Sequence, residues 1–337
     1  MSIGAYKYNG TLFQKIFSTL KNPKNVALLG ECMLELSGSA FGSLQQSYGG
    51  DTFNTAVYLS RCGGSALRVS YATAVGDDNL SEALLAHWEQ DGIALGLVRQ
   101  IPGRMPGMYQ IAVDAQGERS FSFWRNDSAA RSYFDTEITP LEAQSALWDA
   151  FYFSGISLAI LSPAARQRVL TFASGLRQAG KRVVFDNNYR PRLWETVEAA
   201  RAMFLSAFAV ADTVLITADD HQALFGLADL QASVDDAYAL AAIELVVKRG
   251  AASTLVRLGT APWTQVAVEP VATVVDSTAA GDSFAAGYLC QRLAGIAPAE
   301  AAAFGNRLAA RVIQHRGAII GAPAMQDLMP SPAGSSE

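Results

Sequence analysis

A chain of 337 residues, half of them hydrophobic and 17% charged, can bury a large core and is long for one domain but short for two. Its net charge of -5 offers no basic stripe for a phosphate backbone, which argues against nucleic acid as a partner. Cys32, Cys62 and Cys290 are far apart and only three histidines could join them on a metal, so buried thiols in a reducing, cytoplasmic interior are expected. No apolar run approaches the roughly 20 residues of a membrane helix and the start lacks a secretory signal, so no membrane partner is expected.

Residues 1–24 carry four lysines and no acid. They read as an appended arm, and the absence of arginine weighs against a transit peptide. Next come an expected strand at 26–29, a small-residue helix at 54–61, a strand at 69–74 before the Gly76-Asp77-Asp78 turn, and a helix at 81–91 that includes His87 and Trp88. The alternation returns with strands at 150–153, 182–185, 213–216 and 245–248 and helices at 163–179, 196–208 and 230–242. Such order predicts a three-layer α/β/α domain over 25–330, with a mainly parallel central sheet, helices on both faces and ligands at the carboxyl ends of the strands. The tail at 331–337 reads as unpacked.

Residues 107–125 break this rhythm, with two alternating segments around Ala115-Gln116-Gly117 that signal a hairpin. Pairing Asp114 with Glu118 would set Ile111 opposite Phe121 and Tyr109 opposite Phe123, with Arg125 along that aromatic face. The expectation is a small β lid from about 34–49 and 100–127. An exposed edge arginine would read equally well without a ligand.

In the run VVDSTAAGDSFAAGYL (274–289), Ala279, Ala280 and Gly281 let a ligand approach the backbone, and the free N–H groups of the following helix make an anion site. A carboxylate there, Asp282, suits a hydroxyl that attacks phosphorus, although a lone Asp at a helix start also reads as an ordinary cap.

The segment Asp276-Ser277-Thr278-Ala279-Ala280-Gly281-Asp282 resembles the carboxy-terminal motif of the ribokinase-like (PfkB-type) carbohydrate kinases, usually Asp-Thr-x-Gly-Ala-Gly-Asp. The amino-terminal motif is matched by GGDTFNTA (49–56). GECMLELS (30–37), WRN (124–126), SGISLAILSP (154–163), FDNNYRPRLW (185–194), VVKRGA and the final RGAII are similar to the kinases of 2-keto-3-deoxygluconate within that family. The likeness runs from Val26 to about Pro323, roughly nine tenths of the chain, and two of its motifs are specific.

The resemblance implies ATP-dependent phosphorylation of a sugar acid at its 6-hydroxyl, with Asp282 as base and the amides of Ala279, Ala280, Gly281 and Asp282 on the γ-phosphoryl group. It implies sugar contacts from Gly50, Asp51 and Asn54 and from the lid residues Tyr109, Phe123 and Arg125. Arg125 and Arg190 are the two guanidinium groups expected on the substrate carboxylate, although Arg190 and Arg192 alone would read as surface charges. Nucleotide contacts are implied for Asn188, Lys248, Gly250, Ser253, Ala279 and Gly281, and for Asn306 as the start of a helix lining the adenine pocket. Magnesium is expected on ATP oxygens and water, without a protein metal cage, and a monovalent cation such as K+ is left open. The absence of a Walker-type G-x-x-x-x-G-K-S/T argues against P-loop enzymes, and that of G-x-G-x-x-G against dinucleotide oxidoreductases.

Two positions depart from the family. Gln222 stands where a metal-supporting Glu is usual, and Phe123 where a tyrosine is frequent. His221 and His315 read as surface or packing residues. A neutral-sugar kinase and a non-catalytic sugar-acid sensor are the alternative functions, and the open lid face suggests a homodimer in which two lids clasp.

Overall fold

The computed structural model describes residues 22–39, 41–113 and 119–330. The terminal arm up to residue 21, the hairpin loop at 114–118 and the tail from 331 lie outside the described residues. Strand β1 (Lys24–Leu29) feeds β2 (Met33–Gly38) and β3 (Leu44–Gly49). Helix α1 (Asp51–Gly63) then returns to β4 (Leu67–Val75), and α2 (Asn79–Gln90) leads to β5 (Val98–Gln100). The side chain of Asp78 caps α2 by accepting from Leu80 N and Ser81 N at 3.0 and 3.1 Å, so the Gly-Asp-Asp turn ends a strand and starts a helix. The hairpin strands β6 (Met108–Val113) and β7 (Arg119–Trp124) follow.

After a one-turn helix α3 (Pro140–Ala143), the chain alternates through β8 (Ala150–Ser154), α4 (Gly155–Ala159), α5 (Pro163–Gln178), β9 (Arg182–Asp186), α6 (Val197–Val210), β10 (Thr213–Thr217) and α7 (Ala218–Phe225). Helix α8 (Leu230–Tyr238), strands β11 (Glu244–Arg249), β12 (Ala252–Leu258) and β13 (Thr264–Val266), and helices α9 (Ala280–Leu293) and α10 (Pro298–Val312) complete the layers. Ser162 caps α5, with Pro163 at its first position, and Thr196 caps α6, where the sequence places those starts.

The main sheet has the order β13-β12-β11-β10-β9-β8-β1-β4-β5 and is parallel from β5 to β11, with antiparallel β12 and β13 at one edge. Alternate residues of β1 divide between two cores: Val26 and Leu28 pack on the α1, α9 and α10 side, Ala27 and Leu29 on the α4 to α8 side. Sequential strands leave β1 in opposite directions, to β4 on one side and β8 on the other, which opens the ligand crevice at their carboxyl ends.

The lid is a second sheet, β3-β2-β6-β7, with Ile111 paired to Phe121 and Tyr109 to Phe123 as the alternation requires. It has four strands, and the expected lower boundary near residue 100 is corrected. Val98–Gln100 pairs with β4 and extends the main sheet, so the second lid segment starts at Met108.

At the end of the sheet opposite the crevice, the buried Glu244 accepts from Arg292 Nη2 at 2.6 Å and Tyr288 Oη at 2.8 Å, both on α9. Burial pushes its carboxyl up, but these contacts and Arg182 outweigh that and hold it below the usual range. Helix α9 is thus pinned at its far end while its first turn faces the crevice. Replacing Glu244 by Ala strands a largely buried guanidinium and should cost about 3–5 kcal/mol of unfolding free energy. Denaturant titration checks this, with the loss shrinking as pH falls through the carboxylate range; a change under about 1 kcal/mol would show that the pair is not a pin.

Candidate active site

Five elements deliver polar groups to the crevice. Gly50, at the amino end of α1, lies against the Glu31 carbonyl, where an added Cβ would come within 2.0 Å, so only glycine lets α1 start here. One turn further on, Asn54 Nδ2 donates to Asp282 Oδ2 at 2.8 Å, which joins the two sequence motifs across the cleft. The lid closes over the same point: a Cβ on Gly49 would lie 3.2 Å from Asn54 Oδ1 and 3.8 Å from the Tyr109 hydroxyl.

Asp51 is held by Ser154 Oγ at 2.5 Å and Asn188 Nδ2 at 2.9 Å. Asp186, the last residue of β9, accepts from Lys248 Nζ at 3.0 Å and from Tyr152 Oη at 3.1 Å. The ammonium of Lys248 lies 3.5 Å from where a Gly281 Cβ would stand, so a cation hangs over the small-residue turn. Helix α9 begins there at Ala279, which takes φ 60 and ψ 15 without being glycine. That conformation costs on the order of 1–3 kcal/mol, and it sets a tight turn in which Ala280 N–H donates to the Ser277 carbonyl at 3.2 Å.

Three carboxylates therefore crowd one corner. Burial, then Asp51 and Asp186, push the Asp282 carboxyl up to about 8, against the opposing pull of Asn54 and Lys248. Burial likewise raises Asp51. A carboxyl poised near neutrality beside a fan of amides and an ammonium can take a proton from a hydroxyl while an anion is held in front of it.

Other expected site residues differ in their surroundings. Arg125 does not lie along the exposed aromatic face with Phe121 and Phe123. It is buried and paired with Glu31, because it follows the end of β7 and turns into the core. Tyr109 and Phe123 stack with centroids 5.8 Å apart, and the Tyr109 hydroxyl donates to Glu35. Arg190 pairs with Asp220 of α7 at 3.1 Å and is half exposed, so in this state it answers the opposite charge one loop away.

Asn188 links to Asp51, whereas it was expected on the nucleotide side. Gly250 takes φ 59 in the β11–β12 turn, and beside it Ser253 Oγ of β12 accepts from Arg249 of β11 at 2.6 Å. Asn306 does not start a helix; it sits in the middle of α10, bonded to Thr254 at 2.9 Å and to the Ala267 carbonyl at 3.1 Å. Its amide braces the segment after β13. Gln222 bonds the Leu227 carbonyl, and His221 is buried against Asp236 as a packing residue.

Sequence reading missed Glu31, Ser154 and Asp186. Ser154 and Asp186 end parallel strands and Glu31 lies two residues beyond one, which was the available signal. Among the described residues no group of three or more His, Cys, Asp or Glu side chains converges to hold a metal.

Comparisons with known proteins identify the family. The family model described as "pfkB family carbohydrate kinase" matches residues 23–325. The 2-dehydro-3-deoxygluconokinase of Dickeya dadantii is 44% identical over 90% of this chain and 98% of its own. That of Escherichia coli K12 is 41% identical over 90% and 99%. A crystal structure of a fructokinase with bound ATP from Xylella fastidiosa superposes with a TM-score of 0.75 at 22% identity, over 90% of this chain and 97% of that one, a likeness of fold. With the family model spanning both motifs that meet at Asn54 and Asp282, the chain belongs to the pfkB family of carbohydrate kinases.

Proposed function

We propose that this kinase transfers the γ-phosphoryl group of ATP to the 6-hydroxyl of 2-keto-3-deoxygluconate, giving 2-keto-3-deoxy-6-phosphogluconate and ADP. The observation that carries the reading is the contact of Asn54 with Asp282 at 2.8 Å in the first turn of α9. Relatives 41–44% identical along nearly their whole length bear the name of that sugar-acid kinase.

Asp282 takes the proton of the attacking hydroxyl. The hydroxyl oxygen forms the new bond to phosphorus as the bond to the ADP oxygen breaks, and the Ala279 to Asp282 amides with Lys248 hold the charge on the group in transit. Asn54 turns one Asp282 oxygen aside and leaves the other for the hydroxyl. Asp51, fixed by Ser154 and Asn188, and the Gly50 backbone hold sugar hydroxyls. The residues fit magnesium carried on the nucleotide and not caged by protein, since Asp186 and Asp220 already face Lys248 and Arg190. Bound there, it would neutralise charge on the phosphate oxygens. A requirement for K+ is read from the same assays.

A neutral sugar is the second reading, because Arg125 and Arg190 both have carboxylate partners within the protein. ADP release across sugar acids and matched neutral sugars separates the two. The keto-deoxy acid should lead in kcat/KM, and a neutral sugar in first place would overturn the substrate assignment.

Asp282→Asn should fold as the parent does and lose turnover by about 10²–10⁴-fold, the usual share of a general base. Because the working form of Asp282 is the anion and its carboxyl is pushed up to about 8, kcat/KM should climb with pH and level off near there. Asp51→Asn removes a neighbouring negative charge and should move that limb to lower pH. A limb that stays in place would detach Asp51 from the titration.

The lid leaves Phe121, Phe123 and Trp124 each about half exposed, which supports a homodimer through two clasped lids. Light scattering should give twice the chain mass, and a monomer at micromolar concentration would remove this proposal. Three buried free cysteines support a reducing, cytoplasmic setting, and among the described residues no helix is long and apolar enough to cross a membrane.

A further inference from the structure

The ion pair between Glu31 and Arg125 lies where the chain passes between core and lid. Glu31 sits between the end of β1 and the start of β2, Gly107 immediately precedes β6, and Arg125 immediately follows β7. The three meet: a Cβ on Gly107 would come 2.6 Å from Glu31 Oε1 and 3.2 Å from Arg125 Cβ. Both partners are buried, with side chains 1% and 8% exposed, and the contact joins Glu31 Oε2 to Arg125 Nη2. Glu31 Oε1 and Arg125 Nε are buried and have no hydrogen-bond partner among the described residues. On its other side the Glu31 carbonyl abuts Gly50, where the proposed sugar site begins.

A staple that served stability alone would be expected to satisfy both groups, since an orphaned buried polar atom costs free energy. Here a guanidinium is fixed through one nitrogen and keeps a further N–H for another acceptor. We infer that Glu31 is a positioning residue that holds the Arg125 guanidinium, through Nη2, in the orientation that receives the carboxylate of the sugar acid. This rests on the reading of Arg125 as a substrate contact. Glu31 itself does not meet the reacting atoms. It sets the direction of the fork and, by neutralising it in the empty enzyme, lets a cation stay buried beside the sugar site until an anion arrives.

The test is steady-state kinetics of full-length variants with 2-keto-3-deoxygluconate and with the best neutral sugar found in the ADP-release assay. Glu31→Gln, which keeps the shape and loses the charge, should raise KM for the acid by roughly tenfold or more with kcat nearly unchanged, and should leave KM for the neutral sugar unchanged. Gly107→Ala, which pushes on Oε1 without altering any charge, should give the same acid-specific rise. Arg125→Ala should raise KM for the acid at least as much, and adding Glu31→Gln to it should change nothing further. If Arg125→Ala leaves KM for the acid alone, the substrate reading of Arg125 falls and this inference with it. If Arg125→Ala raises KM but Glu31→Gln does not, or raises it equally for acid and neutral sugar, or adds to Arg125→Ala, only the role of Glu31 is overturned.

Discussion

The mutual repulsion of Asp51, Asp186 and Asp282 governs the organisation of this molecule. Three carboxylates at one corner of a crevice are unstable neighbours unless each is given a donor, and the fold supplies one to each. Ser154 and Asn188 hold Asp51, Lys248 and Tyr152 hold Asp186, and Asn54 holds Asp282. These donors come from β8, the loop after β9, β11 and α1, so the parallel sheet is what brings them to one place. At Asp282 burial first, and then the neighbouring Asp51 and Asp186, outweigh the donors and push the carboxyl up to about 8.

Helix α9 carries the site at one end and an anchor at the other. Its first turn opens from an alanine in the left-handed region, so the turn is held by what surrounds it. Nearby, Thr278 N–H and Oγ and Gly317 N–H all converge on the Asp276 carboxylate. At the far end, Arg292 and Tyr288 grip Glu244. Helix position and amide direction are thereby fixed before any ligand arrives, which is what electrostatic catalysis by main-chain groups requires.

The lid is joined to this frame by polar contacts that lie close to the sugar side. Tyr109 comes down near Asn54, Arg125 tucks beside Glu31, and Tyr48 at the end of β3 donates to Asp91 at 2.8 Å, which Arg61 of α1 also holds. A four-stranded sheet with aromatic side chains on its open surface is stiffer than a lone hairpin, and its strands cross into the core at neighbouring points.

The order of strands and helices, the hairpin register and the small-residue turn at 279–281 could be read from the sequence because each rests on local periodicity or on the absence of side chains. Asp282 was legible from its place at that turn, whereas Gly50, Asp51, Asn54 and Lys248 were named only through the resemblance to the carbohydrate-kinase motifs. Which polar group answers which charge was not legible, because that depends on the twist and order of the sheet. Arg125 went to Glu31, Arg190 to Asp220 and Asn188 to Asp51, partners separated by between 30 and 137 residues. Sequence thus determined where chemistry-bearing side chains leave the backbone. Only the tertiary structure decided which of them meet, since Coulomb and hydrogen-bond energies depend on distance in space and are indifferent to distance along the chain.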